Sequence, residues 1–101
     1  MKDGIINLDT PRGRQLGFTS DKYDGYLWKK GYSIIVSFIM SKARGNFRAL
    51  VKRIHSLGYT VEVPMPLGRM QEIVLKNGYK PKVVPFSKDD PSLCEVWVLP
   101  P

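Results

Sequence analysis

Cysteine is almost absent from this chain: Cys94 is the only one in 101 residues. A single thiol excludes an internal disulfide framework and a cysteine-based zinc cluster, and it fits a reducing cytoplasm, which is the expected compartment. Histidine is as scarce, with His55 alone. No spacing of His, Cys, Asp and Glu follows a metal-ligand pattern, so no metal is expected. Long apolar runs are also missing. The longest, Ile34 to Met40, is broken by Ser37 and falls far short of a membrane span. Met1-Lys2-Asp3-Gly4 leads only into Ile5-Ile6, which gives no secretory leader. Acid is in short supply: 9 Asp and Glu stand against 16 Lys and Arg, for a net charge of +7. That balance favours anionic partners, such as nucleic acid, a nucleotide-containing cofactor or an acidic protein surface.

What is present suffices for one domain with a modest core. Residues 1–20 carry Gly4, Pro11, Gly13 and Gly17 with little periodicity and read as a mostly irregular arm with room for one short strand. Residues 21–101 form the single folded domain. Gly25-Tyr26-Leu27-Trp28 and the β-branched run Tyr32 to Met40, separated by Lys29-Lys30-Gly31, predict an antiparallel hairpin. The second strand is apolar on both faces and is expected to be central and covered on both sides.

A short polar break, Ser41-Lys42-Ala43-Arg44-Gly45-Asn46, follows that strand. Phe47, Leu50, Val51, Ile54 and Leu57 then recur at helical spacing, with Asn46 as the expected N-cap and Gly58 just past the end. A strand that runs through a Gly-containing turn into a helix gathers free backbone N–H groups and the positive end of the helix dipole at one point, a candidate anion site. Arg44, Arg48 and Lys52, each four residues apart, line one helical face beginning at that turn. Tyr59 to Val63 alternates as a strand, which completes a β-α-β unit whose two strands should be parallel.

Pro64 and Pro66 end that strand and introduce a second helix, Leu67 to Asn77, with Leu67, Met70, Ile73 and Val74 on its buried stripe. Tyr79 to Phe86 and Cys94 to Leu99 read as two closing strands around the polar loop Ser87 to Ser92. Pro81 and Pro85 lack donors, so the first of these should bond on one side only or carry a bulge. The fold class is α/β with a mixed sheet and element order β-β-α-β-α-β-β.

That order, with the Ser-Lys-Ala-Arg-Gly-Asn-Phe turn and the Leu75-Lys76-Asn77-Gly78-Tyr79 helix end, resembles the C-terminal two-thirds of a GNAT-superfamily N-acetyltransferase. The resemblance covers roughly residues 25–99, and the chain is similar to short phage-encoded members, for which the compartment would be the host cytoplasm. It implies acetyl-CoA, or another acyl-CoA, as cofactor and an amine of unknown identity as acceptor. The family's phosphate-binding turn runs Gln/Arg, two residues, Gly, one residue, Gly/Ala. Gly45 matches it, Lys42 is a charge-conserving departure, and Phe47 replaces the small last residue. Cofactor contacts are thereby expected from Phe38, Met40, Ser41, Lys42, Ala43, Arg44, Gly45, Asn46, Phe47 and Arg48. The strand segments Ser37 to Met40 and Thr60 to Val63 should splay to admit the pantetheine arm. Many members carry a tyrosine, four residues before the Gly of a Gly-Phe/Tyr dipeptide, that protonates the leaving thiolate. Here that position is Val74, which transfers no proton. Glu62 is the candidate base toward the amine, against the simpler reading of a solvent-facing carboxylate.

The alternative function is a catalytically silent module that binds protein or nucleic acid through its basic face. His55 reads as a surface histidine and Cys94 as a small core residue. Trp28, Tyr26 and Tyr32 read as core packing in preference to a base-stacking face.

Overall fold

The computed structural model describes residues 2–85, 89–90 and 92–101. The expectations for Phe86, Ser87, Lys88 and Pro91 lie outside the described residues. In chain order the elements are β1 (Gly4–Ile6), α1 (Pro11–Leu16), β2 (Tyr23–Lys30), β3 (Ser33–Ser41), α2 (Asn46–Ser56), β4 (Thr60–Pro64), α3 (Arg69–Lys76), β5 (Lys80–Pro85) and β6 (Leu93–Leu99). The strands form one mixed sheet in the order β1-β2-β3-β4-β6-β5. β3 and β4 are parallel, as a strand-helix-strand crossover requires, and the other neighbours are antiparallel. β5 pairs only with β6 and lies at the edge, where Pro81 and Pro85 remove no ladder bond that an inner strand would need.

A single cluster holds the fold together. Ile34 and Val36 of β3, Val61 and Val63 of β4, Leu50 and Ile54 of α2, Leu16 of α1 and Val74 of α3 are all buried in it. Each helix contributes its apolar stripe to this one cluster, so all three lie on the same face of the sheet. Burying one such side chain stabilises by about 1.5–3 kcal/mol relative to exposure.

The N-terminal arm is a correction to the sequence reading, because it is not irregular. β1 adds to the sheet edge, and α1 is closed at its start by Thr10, whose Oγ1 accepts from the Gly13 N–H at 3.1 Å. Ile6, Leu16 and Phe18 are core residues. Asp3 pins the arm to the hairpin: its carboxylate sits 3.0 Å from the buried Lys29 ammonium and accepts from the Gly31 N–H at 3.1 Å.

The hairpin holds a second correction. β3 is central, but it is covered on one face only. Trp28 pairs with Ile5 and Ile35 across the uncovered face and remains 45% exposed, while Phe38, 57% exposed, stacks on Tyr26 at 6.1 Å between ring centroids. Tyr32 is exposed as well. Tyr26, Trp28 and Phe38 belong to an open sheet face and Tyr32 to the hairpin turn, and none is in the core. A register shift between Tyr26 and Trp28 accompanies the change. Ile34 and Val36 are buried before it, and Ile39 packs against the core after it, so the inward phase of β3 moves by one residue.

Smaller differences concern helix ends. Gly45, at φ 89° and ψ −14°, is the N-cap of α2, and Asn46 is the first helical residue. α3 starts at Arg69 behind Gly68, later than Leu67, because the left-handed backbone of Met65 at φ 43°, the two prolines and the non-helical Gly68 at φ 56° interrupt the helical path before it.

Candidate functional site: a basic groove and a strand fork

The parallel ladder between β3 and β4 is short. It pairs Ser33 with Thr60, Ile34 with Val61 and Ile35 with Glu62, and then it stops. β3 continues from Val36 to Ser41 with no β4 partner, and Val63 and Pro64 of β4 have no β3 partner, although β4 stays paired with β6 on its other side from Val61 to Pro64. The two strands therefore diverge as a fork. Its open end leads directly into the turn before α2.

On the helical face the fork meets a groove of about 970 Å³ between α2 and α3. Phe47, Val51, Met70 and Ile73 from the two helices give it apolar walls, and Ile39, Tyr79 and Leu99 contribute from the sheet side. Lys42, Arg44, Arg48, Lys52 and Arg69 line it; among the described residues no carboxylate belongs to the lining, and Asp24 stands 3.8 Å from Lys42 at its edge. Like charges gathered along one cleft with low-dielectric walls concentrate an attractive field for an anion.

Local geometry sharpens that preference at the start of α2. No side chain among the described residues caps the helix. The Asn46 N–H returns to the Ala43 carbonyl at 3.4 Å and the Ala49 N–H reaches the Gly45 carbonyl at 3.1 Å. The N–H groups of Phe47 and Arg48 have no protein acceptor among the described residues. Two unpaired donors at the positive end of a helix, flanked by Arg44 and Arg48, suit a phosphate. Gly45 holds a positive φ that side-chain-bearing residues rarely adopt, and a Cβ built there meets nothing within 4 Å, so the space before the helix start is open.

Of the residues expected at the cofactor, Met40, Ser41, Lys42, Ala43, Arg44, Gly45, Phe47 and Arg48 all line this groove. Phe47 packs partly against the core, so its ring forms wall instead of blocking the turn. Two expectations need correction. Phe38 stacks on Tyr26 on the opposite face, because the register shift in the hairpin turns it away. Asn46 does not line the groove; its amide donates to the Lys22 carbonyl at 3.2 Å and braces the turn against β2. Lys42 is also partly committed, donating to the Ser20 carbonyl at 2.7 Å with Asp24 at 3.8 Å.

Sequence reasoning missed Arg69, Tyr79 and the groove role of His55. The Nε2 of His55 is 2.9 Å from the Leu99 carbonyl and ties α2 to the end of β6. Tyr79 is buried, and burial pushes its phenol up to about 12, so it stays protonated at neutral pH. Tyr23 behaves alike, pushed up to about 12 by burial, and its hydroxyl donates to the Asn46 carbonyl beneath the turn. The signal that locates Arg69 and Tyr79 is topological: in a β-α-β-α-β order, the gap between consecutive crossover helices faces the ends of the same parallel strands.

A second cleft, of about 640 Å³, opens on the uncovered face of the sheet. Glu62, the last residue of the β3–β4 ladder, lines it with Ile35, Ser37, Met65, Cys94 and Val96. Cys94 is thus a half-buried cleft residue and not part of the main core. Leu67 lines both clefts, so the two cavities approach one another around the fork. Val74 is fully buried and faces neither cleft.

Among the described residues no group of three or more His, Cys, Asp or Glu side chains is placed to hold a metal ion, and no helix is long and apolar enough to cross a membrane. No family model, no curated protein and no solved structure matches the chain.

Proposed function

We propose that the groove binds the pyrophosphate and nucleotide portion of an acyl-CoA, with acetyl-CoA the first choice, and that the chain acts as a small GNAT-like N-acetyltransferase on an amine. The observation that carries this reading is the meeting of an uncapped, arginine-flanked helix start with a forked parallel strand pair. A diphosphate anchored at Phe47 and Arg48 N–H would leave its flexible arm beside the unpaired edge of β3, from Val36 to Ser41. Unpaired strand groups there can receive an amide-containing arm as a strand partner. The thioester would then lie near the fork, with the acceptor entering from the second cleft and Glu62 between them. Catalysis of this kind draws mostly on holding amine and thioester together.

Acetyl-CoA should raise the melting temperature by mass action, about 2.7 kcal/mol of added stability at a hundredfold excess over Kd. Gly45→Glu, which sets bulk and negative charge at the phosphate, should abolish the rise. No shift with the wild-type chain at millimolar acetyl-CoA would refute the cofactor assignment.

Val74 favours a second reading. The side chain at the position where the resemblance implies a proton donor is aliphatic and enclosed in the core, and the groove would equally attract a polyanion. On this reading the chain is a catalytically silent binding module for nucleic acid or an acidic protein. Binding of a nucleic acid would weaken steeply with added salt.

A further inference from the structure

We infer that the uncovered face of the β2–β3 hairpin is a stacking platform for single-stranded nucleic acid, on the other side of the sheet from the groove and independent of what the groove binds. Leu27 and Lys29 of β2 are buried toward the helices, so the alternate residues Tyr26, Trp28 and Lys30 stand on the open side. The ladder sets Phe38 beside Tyr26, and Ile35 and Ile5 on either side of Trp28. Core packing does not account for the three rings, since Tyr26 is 38%, Trp28 45% and Phe38 57% exposed. Their exposed parts together amount to roughly 300 Å², a patch size that on a single chain often marks a contact site.

The spacing of the rings selects the partner. Every nucleobase has a π-face, so an exposed aromatic ring accepts any of them. Two residues along a strand are about 6.6 Å apart, roughly twice the 3.4 Å between neighbouring bases of a duplex strand. Bases seated on Trp28 and on the Tyr26–Phe38 pair are therefore parted from each other, which a single strand permits and a duplex does not.

Charge points the same way. Lys30 follows Trp28 on the same side of β2, and the other end of the strip opens on the turn that carries Lys42 and Arg44. Two carboxylates lie near. Asp24 is 3.8 Å from Lys42, which offsets it. Glu62 stands two strands from Trp28 in the cross-strand row Trp28, Ile35, Glu62, about 10 Å away, and confines a phosphate chain to the β2–β3 side. The net charge of +7 draws a polyanion to the chain and repels a second copy of it, which is the other occupant an open apolar face invites.

The test is fluorescence anisotropy of the full chain with a labelled oligothymidylate of about twelve nucleotides, within the usual site size of such surfaces, and with a duplex of the same length. The single strand should bind more tightly than the duplex and quench tryptophan emission. Trp28→Ala and Phe38→Ala should each weaken it by roughly tenfold and leave the slope of log K against log salt unchanged, because stacking releases no counterion. Lys30→Gln should instead lower that slope by about 0.7. Trp28→Phe, which keeps a ring, should retain most of the binding, and circular dichroism of each variant separates lost stacking from lost fold. Duplex binding as tight as that of the single strand, or single-strand binding that survives Trp28→Ala and Phe38→Ala, would overturn the inference. Self-association of the chain that disappears in Phe38→Lys would overturn it too, by giving the face to a second copy. None of these results depends on whether acetyl-CoA binds, so the acyl-CoA reading and this one fail separately.

Discussion

Gly25→Ala should be among the most damaging single-methyl changes in this protein. Gly25 lies in β2 opposite Ile39 at φ 110°, and a Cβ placed on it would collide with the Phe38 carbonyl oxygen and come within 2.9 Å of its carbon. Contacts below 3.0 Å do not persist, and the obstacle is strand backbone, so β2 and β3 must separate where β3 changes its inward phase. Overpacking of this kind costs roughly 1–3 kcal/mol, and the positive φ adds about 1–3 kcal/mol for a residue with a side chain. Taking about 3 kcal/mol together, the melting temperature should fall by about 12–24 °C in a domain of this size. Gly45→Ala supplies the control: its φ of 89° carries a similar backbone cost, but a Cβ there meets nothing within 4 Å. Thermal unfolding followed by circular dichroism compares the two. If Gly25→Ala proves no more destabilising than Gly45→Ala, the close approach of the hairpin strands is wrong.

Three further expectations concern charge and titration. Tyr23 and Tyr79 have folded-state values raised to about 12 from an ordinary 10, so their contribution is complete below pH 10 and is lost as pH rises toward 12. Alkaline denaturation should therefore begin in that window and move upward in Tyr79→Phe, where no phenol need ionise; an unchanged profile would count against the burial. Asp3 is lowered by its hydrogen bond from Lys29, so its support is present above its ordinary value and is lost as pH falls through the folded one. Hydrogen exchange across Gly4–Ile6 should accelerate under acid or in Asp3→Asn before the sheet centre opens. Finally, Arg44→Ala/Arg48→Ala/Lys52→Ala should lower the salt dependence of any anion binding in the groove, roughly in proportion to the number of phosphates left without a cation. An unaltered slope would place the anion elsewhere.

The elements of this fold differ in how far residues alone reveal them. α2 is legible because Phe47, Leu50, Val51 and Ile54 repeat at helical spacing, and the β3–α2–β4 unit follows from it. α1 is not, since Pro11–Leu16 is too short to show a period; its one usable signal is Thr10 before Pro11, a cap followed by a residue suited to the first turn. The open sheet face escapes the sequence for another reason. An apolar strand reads the same whether its second face meets protein or an open cleft, and only the placement of all three helices on one side decides. The turn residues from Met40 to Arg48, all but Asn46 of which line the groove, stand out in the sequence as a candidate site because a glycine between cations at a helix start has a local chemical meaning. Arg69 and Tyr79 reach the same groove only through the sheet order, and Phe38 leaves the expected set because a register shift carries no reliable local signature.

The most direct measurement is a backbone amide chemical-shift map of the labelled protein titrated with acetyl-CoA. The largest changes should fall on Phe47 and Arg48, whose N–H groups have no protein acceptor among the described residues, and then on Val36 to Ser41 along the fork, with smaller ones at Arg69 and Tyr79. Saturable changes confined to other surfaces, or none at millimolar acetyl-CoA, would contradict the assignment of the groove to a coenzyme A thioester.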